Sequence, residues 1–230
     1  MLTHLKLKIG VMGSAGGDFT ARSLSLAFAL GQAIGQADCY MVTGGCPGLP
    51  LEAARGAKEA GGLVIGISPG LSLDEHIHKY GSPIEAHDLL IFTGSGLMGR
   101  EVVNIRSSNI VVIVGGSSGT LGELAIAYDE GKLIGILQGS GGISEIAADI
   151  LAACKKETGA RVLYDTDPQR LVANLLDVYR TVHHVKPSCF CEDRTDCPCC
   201  TLRVSNTGTV QPTVGSEHAA RELAERREAP

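Results

Sequence analysis

Tryptophan is absent from this 230-residue chain, and aromatic residues make up only 4% of it. Platforms that stack single-stranded nucleic acid need aromatic faces, so that function class is excluded. An excess of basic charge is also missing: 20 Lys and Arg stand against 25 Asp and Glu, a formal net charge of −5. A protein that grips a phosphate backbone needs a basic surface, so no nucleic-acid partner is expected. No apolar run approaches the ~20 residues of a membrane span. Met1 to Lys8 alternates apolar and basic residues and lacks the apolar core of a signal peptide. The expectation is a cytoplasmic protein with no membrane partner.

Glycine, by contrast, is abundant. Thirty glycines are present, close to twice the usual ~7% usage. With 44% apolar residues the chain can bury a core, and its length favours one main domain. Short apolar runs alternate with helical patterns. Strands are predicted at Lys8–Met12, Cys39–Val42, Leu63–Ile67, Leu89–Phe92, Ile110–Val114, Leu133–Leu137 and Arg161–Tyr164. Helices are predicted from Thr20 to about Gly35 and over Leu51–Lys58, Glu101–Ser107, Leu121–Glu130, Ile143–Lys155 and Pro168–Val182. Five consecutive β-branched residues at Ile110–Val114 read as a strand buried on both faces. Such alternation predicts βαβ units. The expected fold is α/β: a Rossmann-like, doubly wound, mainly parallel sheet with helices on both faces, spanning residues 1–182.

A Cys-rich segment, residues 183–203, and a polar tail or short helix, 204–230, are expected to follow. Cys39, Cys46 and Cys154 stand alone, whereas Cys189, Cys191, Cys197, Cys199 and Cys200 crowd into twelve positions. Without a secretion signal, such a cluster points to metal rather than disulfides. It supplies more than the four thiolates of a tetrahedral zinc site, and His183 or His184 offers a further ligand. Zinc is the leading candidate and an iron–sulfur cluster the alternative. Protein purified without chelator should carry about one metal ion per chain by elemental analysis. A stoichiometry near zero under anaerobic conditions would remove the idea.

Three glycine-rich turns follow predicted strands, where an open parallel sheet places its ligands. They are Gly13–Asp18, Thr43–Gly48 and Gly115–Thr120. Glycine lets the backbone approach a phosphate, and the helix start beyond it offers unpaired N–H groups. None of the three is a G-x-x-x-x-G-K-[ST] loop, and Gly13-x-x-Gly16 lacks the dinucleotide spacing. Thr120-Leu121-Gly122-Glu123 reads as a capping box, with Thr120 as N-cap. Asp18 reads as the cap of the first helix. Ser14 and Thr43 either touch the ligand or satisfy their own turns.

Gly115-Gly116-Ser117-Ser118-Gly119-Thr120-Leu121-Gly122-Glu123 resembles the P-G-G-x-G-T-x-x-E signature of the LOG family. These phosphoribohydrolases release free cytokinin from its riboside monophosphate. The Arg of the family's R-K-x-x-M segment matches Arg100, in Leu97-Met98-Gly99-Arg100-Glu101. Gly13-Ser14 and the Thr43–Leu49 stretch, with Gly44 and Gly45, resemble the first two ligand-lining loops. Here Gly115 replaces the signature Pro and Ser117 its second Gly. Glu101 replaces the Lys after Arg100, Asn104 replaces the Met, and Cys46 stands where a third Gly is usual.

The resemblance implies N-glycosidic hydrolysis of a nucleoside 5′-monophosphate to free base and ribose 5-phosphate, with no cofactor. Arg100 and Glu123 would be its catalytic residues, and N–H groups of Gly116, Ser117, Ser118, Gly119 and Thr120 would hold the phosphate. Glu123 would stabilise the positive ribose or activate water, with Arg100 positioning it or contacting the ligand. Asn104, at i+4 from Arg100, would share its helix face, while Arg106 points elsewhere. The alternative is a non-catalytic nucleotide- or molybdenum-cofactor-binding carrier, since the wider superfamily includes such proteins. A homodimer or higher homo-oligomer is also implied.

Overall fold

Continuously apolar strands need cover on both faces, and the chain provides it. A computed structural model describes residues 6–183. Seven strands, β1 (Lys8–Gly13), β2 (Tyr40–Thr43), β3 (Leu63–Ser68), β4 (Leu89–Phe92), β5 (Ile110–Val114), β6 (Leu133–Leu137) and β7 (Arg161–Asp165), form one parallel sheet. Their order is β4-β3-β2-β1-β5-β6-β7. The helices are α1 (Ala21–Gln36), α2 (Leu49–Glu59), α3 (Gly96–Ser107), α4 (Ser118–Asp129), α5 (Ile143–Cys154) and α6 (Pro168–Val178). The doubly wound α/β sheet that the sequence leads one to expect is therefore found.

Side-chain alternation along each strand splits the core in two. Ile9, Val11 and Val112 pack with Leu30 of α1, Ala53 of α2 and Leu171 of α6. Met12, Val111 and Ile113 pack on the other face with Ile105 of α3, Leu124 of α4 and Ala147 of α5. β1 and β5 are neighbours in register, Val11 opposite Val112 and Met12 opposite Ile113. The chain winds outward in opposite directions from this pair, so the crevice at their carboxyl ends is the topological switch point.

Several boundaries differ from the sequence reading, each for a physical reason. Thr20, not Asp18, caps α1: its Oγ1 accepts the Ser23 N–H at 3.0 Å. α3 begins at Gly96, a turn before Glu101. α4 begins at Ser118, so Thr120 lies inside the helix and Ser117 takes the N-cap position without a side-chain bond. Left-handed backbone at Gly115 and Gly116, φ +60° and +111°, turns the chain sharply enough for the helix to start early. α6 stops at Val178 and a π-helical turn, Tyr179–His183, follows. Compact organisation divides the chain into a unit ending at Tyr179 and another beginning at Arg180. The five clustered cysteines and His184 lie outside the described residues. Among the described residues, no helix is long and apolar enough to cross a membrane.

Helices α1 and α2 touch backbone to backbone. A Cβ on Gly31 would lie 1.8 Å from the Ala53 carbonyl oxygen, and one on Gly56 2.0 Å from that of Phe28. Gly31→Ala gains about 1 kcal/mol of helix propensity. Prying the helices apart costs up to about 3 kcal/mol. A net loss of about 2 kcal/mol is expected from urea unfolding; an unchanged midpoint would contradict this contact.

Candidate functional site

The third glycine turn is built as much to hold itself as to hold a ligand. The Gly116 N–H donates to Ser14 Oγ at 2.8 Å, and the Gly115 N–H donates to Ser140 Oγ at 2.8 Å. Their carbonyls accept from Ile143 and Ser144 at the start of α5. The Gly116 N–H, expected to hold phosphate, is thus already engaged. Open donors begin later. The first intrahelical bond of α4 runs from the Leu121 N–H to the Ser117 carbonyl, so the N–H groups of Ser118, Gly119 and Thr120 precede it.

Gly119 and Thr120 border a cavity of about 160 Å³ lined also by Gly13, Gly44, Cys46, Arg100, Glu101 and Glu123. Arg100 comes from α3, Glu123 from α4 and Gly44 from the loop after β2, so the structure brings together three groups far apart in sequence. The Arg100 guanidinium presses one nitrogen against Gly44: a Cβ there would sit 1.4 Å from Nη1. Arg100, Glu101 and Glu123 are 7%, 5% and 6% exposed. One cation and two carboxylates therefore share a nearly dry space.

Burial dominates their electrostatics. The Glu123 carboxyl is pushed up to about 7 by desolvation, against the pull of Arg100 and with a further push from Glu101. Asn104, packed behind Glu123, favours its ionised form. Burial also raises the Glu101 carboxyl and the Cys46 thiol, with Arg100 opposing each. Arg100 Nε, Glu101 Oε2 and Asn104 Oδ1 have no hydrogen-bond partner among the described residues. Orphaned buried polar atoms are rare in folded proteins, and three in one cluster call for partners that the described residues do not supply.

The sequence-derived residues divide among several places. Gly13, Gly44, Ser117, Gly119, Thr120, Arg100 and Glu123 line this cavity. Ser14 and Gly115 line a second, larger one on the other side of the glycine turn. Gly45, Gly116, Ser118 and Asn104 line neither. Asn104 is fully buried behind Glu123, its Nδ2 donating to Met12 Sδ at 3.1 Å, so it supports the carboxyl from the rear. Thr43 satisfies its own turn: Oγ1 accepts the Gly45 N–H and pairs with His87 Nε2, both at 3.0 Å. Glu123 does not reach back as a capping box requires, because its carboxyl is turned into the cavity beside Arg100. Arg106 is an exposed charge paired with Glu130 at 2.7 Å. Glu101 and Cys46, noted in the sequence only as departures from a pattern, turn out to line the cavity.

Comparison with known proteins agrees with the fold. The SLOG cluster4 family matches residues 6–172. An uncharacterized protein of Archaeoglobus fulgidus is 33% identical over 132 residues, 57% of this chain and 80% of that protein. The molybdenum cofactor carrier protein of Chlamydomonas reinhardtii superposes with a TM-score of 0.61 at 32% identity, covering 77% of this chain and 100% of that one. The molybdenum cofactor binding protein of Rippkaea orientalis gives a TM-score of 0.64 at 29% identity, covering 76% and 99%. With the LOG-like glycine loops gathered at the β1–β5 crevice and residues 6–172 of the chain matched, this chain belongs to the SLOG cluster4 family.

Proposed function

We propose that this chain binds a small phosphorylated ligand of nucleotide or pterin type in the β1–β5 crevice and holds it without cleaving it. The observation that carries the reading is the meeting, in one small cavity, of the α4 N–H groups with the buried Arg100 guanidinium. Helix N-termini favour anions, and a guanidinium adds charge-assisted bonds. A volume of about 160 Å³ lies below the roughly 300–1,000 Å³ of a drug-sized ligand site. It suits the anionic end of a ligand whose ring system lies elsewhere. Relatives named for carrying or binding the molybdenum cofactor, similar over nearly their whole length, support holding over cleavage. So does Glu101, a carboxylate where the hydrolytic pattern has Lys.

Calorimetric titration with AMP, GMP and a monophosphorylated pterin tests the reading, with chromatography of the mixtures afterwards. Saturable binding of at least one of them and intact ligand are expected. Absence of saturable heat with all three at millimolar concentration would overturn the reading.

A second reading is favoured by one specific feature, the Glu123 carboxyl near neutrality beside Arg100. A group with that affinity for protons can act on water or a departing base at physiological pH. In that reaction water adds to the ribose anomeric carbon as the bond to the base nitrogen breaks. Adenine and ribose 5-phosphate accumulating from AMP, and lost on Glu123→Gln, would establish it.

A further inference from the structure

The geometry points to the larger cavity as the receptor for the ligand's heterocycle, with Arg22 selecting rings that present a carbonyl beside a ring nitrogen acceptor. This deepens the binding reading above and rests on it. The cavity measures about 520 Å³, within the range of preformed small-molecule sites. It lies between the loop after β1 and the loop after β6, and the Gly115 turn forms its boundary with the smaller cavity.

That boundary is rigid. Ser14 and Ser140 hydroxyls take the Gly116 and Gly115 N–H groups, each at 2.8 Å, while Ile143 and Ser144 N–H groups take the two carbonyls, each at 3.0 Å. A Cβ on Gly142 would lie 2.2 Å from the Gly116 oxygen, so the β6 loop is seated directly on the turn. A ligand with its anionic end at α4 and its ring beyond the turn meets two preformed compartments.

The larger compartment is chemically suited to a ring. Phe19 and Leu49 give it apolar walls. Arg22 lies across Gly139, where a Cβ would approach its Nη2 to 3.1 Å. Among the described residues Arg22 has no hydrogen-bonding or acidic partner in this structure. Glu145, which lines the same cavity, is held by the β6 loop: its Oε1 accepts the Gly139 and Gly141 N–H groups at 2.8 and 2.9 Å. It also accepts the Ser144 hydroxyl at 3.3 Å. Asp18 is the other carboxylate lining the cavity and is exposed.

A guanidinium presents parallel donors, which match a carbonyl oxygen next to an unprotonated ring nitrogen. Guanine and pterins carry that edge; adenine presents an amino donor there instead and leaves the arginine opposed by another donor. The ligand class is therefore a phosphorylated oxo-purine or pterin in preference to an adenine nucleotide.

Titrating the full chain with GMP, AMP, a monophosphorylated pterin and ribose 5-phosphate reads the two compartments separately. GMP or the pterin is expected to bind about tenfold to a hundredfold tighter than AMP, and whichever binds tighter identifies the ring. Arg22→Met, a change at an exposed helix position, should collapse that preference while leaving ribose 5-phosphate affinity unchanged. Phe19→Ala, with circular dichroism as a check on folding, should weaken every ring-bearing ligand and again spare ribose 5-phosphate. If ribose 5-phosphate binds and AMP equals or exceeds GMP and the pterin, or if Arg22→Met leaves the ratio intact, the ring assignment fails and the anion site stands. If none of the four binds, both fail.

Discussion

Gly44→Ala is expected to weaken binding of the phosphorylated ligand about tenfold to a hundredfold while the protein stays folded. Gly44 does not occupy left-handed backbone, unlike its neighbours Gly45 and Gly48, so alanine meets no torsional strain there. What it meets is the Arg100 side chain, with Nη1 at 1.4 Å and Cζ at 2.6 Å from the new methyl group. The guanidinium is the far end of a flexible chain and yields by swinging away, which spares the core. It leaves behind Glu101 and Glu123, whose proton affinities it had been holding down. An incoming phosphate then faces two carboxylates without their cation. Losing a hydrogen bond to a charged group costs about 1.5–3 kcal/mol, or about one to two decades in Kd. Calorimetric affinity together with the melting temperature measures both halves of the expectation. Unchanged affinity would remove Arg100 from the site.

That a single methyl group should act this way shows which features a sequence carries and which it does not. The sheet was legible because its signals are local. Ile110–Val114 is apolar throughout and buried throughout, and the glycine turns mark the carboxyl ends of β1, β2 and β5 without reference to anything distant. The cavity is a different matter, since its lining depends on strand order. Placing Arg100 near Glu123 came from a family pattern and not from any period in the chain. Thr120-x-x-Glu123 has the local form of a capping box, yet the helix begins earlier. A carboxylate that the local pattern would turn toward a backbone N–H is instead drawn to a guanidinium on α3.

Glu101 gave no warning, because an acid near a helix start ordinarily complements the helix dipole in solvent. It is buried because the first turns of α3 pack against α4, close enough that a Cβ on Gly122 would lie 3.1 Å from Glu101 Oε2. Equally, no local signal says that the Gly115 and Gly116 N–H groups are taken by Ser14 and Ser140. Those partners are up to 102 residues away.

Glu123→Gln should make the protein more stable than the wild type at alkaline pH and no more stable at acid pH. An ordinary Glu loses its proton near pH 4.5, and burial moves Glu123 to about 7. Below pH 4.5 the carboxyl is protonated in folded and unfolded chains alike and costs nothing. Between 4.5 and about 7 the unfolded chain has released the proton while the folded chain retains it, so stability falls as pH rises. Above 7 both states are ionised and the full penalty of a buried charge is present. At about 1.4 kcal/mol per pH unit the difference approaches about 3 kcal/mol. Glutamine keeps the shape and has no proton to lose. Urea unfolding at pH 4 and at pH 8.5 should therefore show the variant and wild type converging at the first and separating at the second. A bound phosphate adds negative charge beside Glu123 and raises its proton affinity further. Ligand affinity of the wild type should then weaken as pH rises through 7, with proton uptake visible in buffers of different ionisation enthalpy, while the variant keeps only the share that comes from the phosphate's own ionisation at about pH 6. A stability difference equal at both pH values would mean that Glu123 ionises freely, and a carboxyl that does so is not enclosed with Arg100 and Glu101 in a dry cavity.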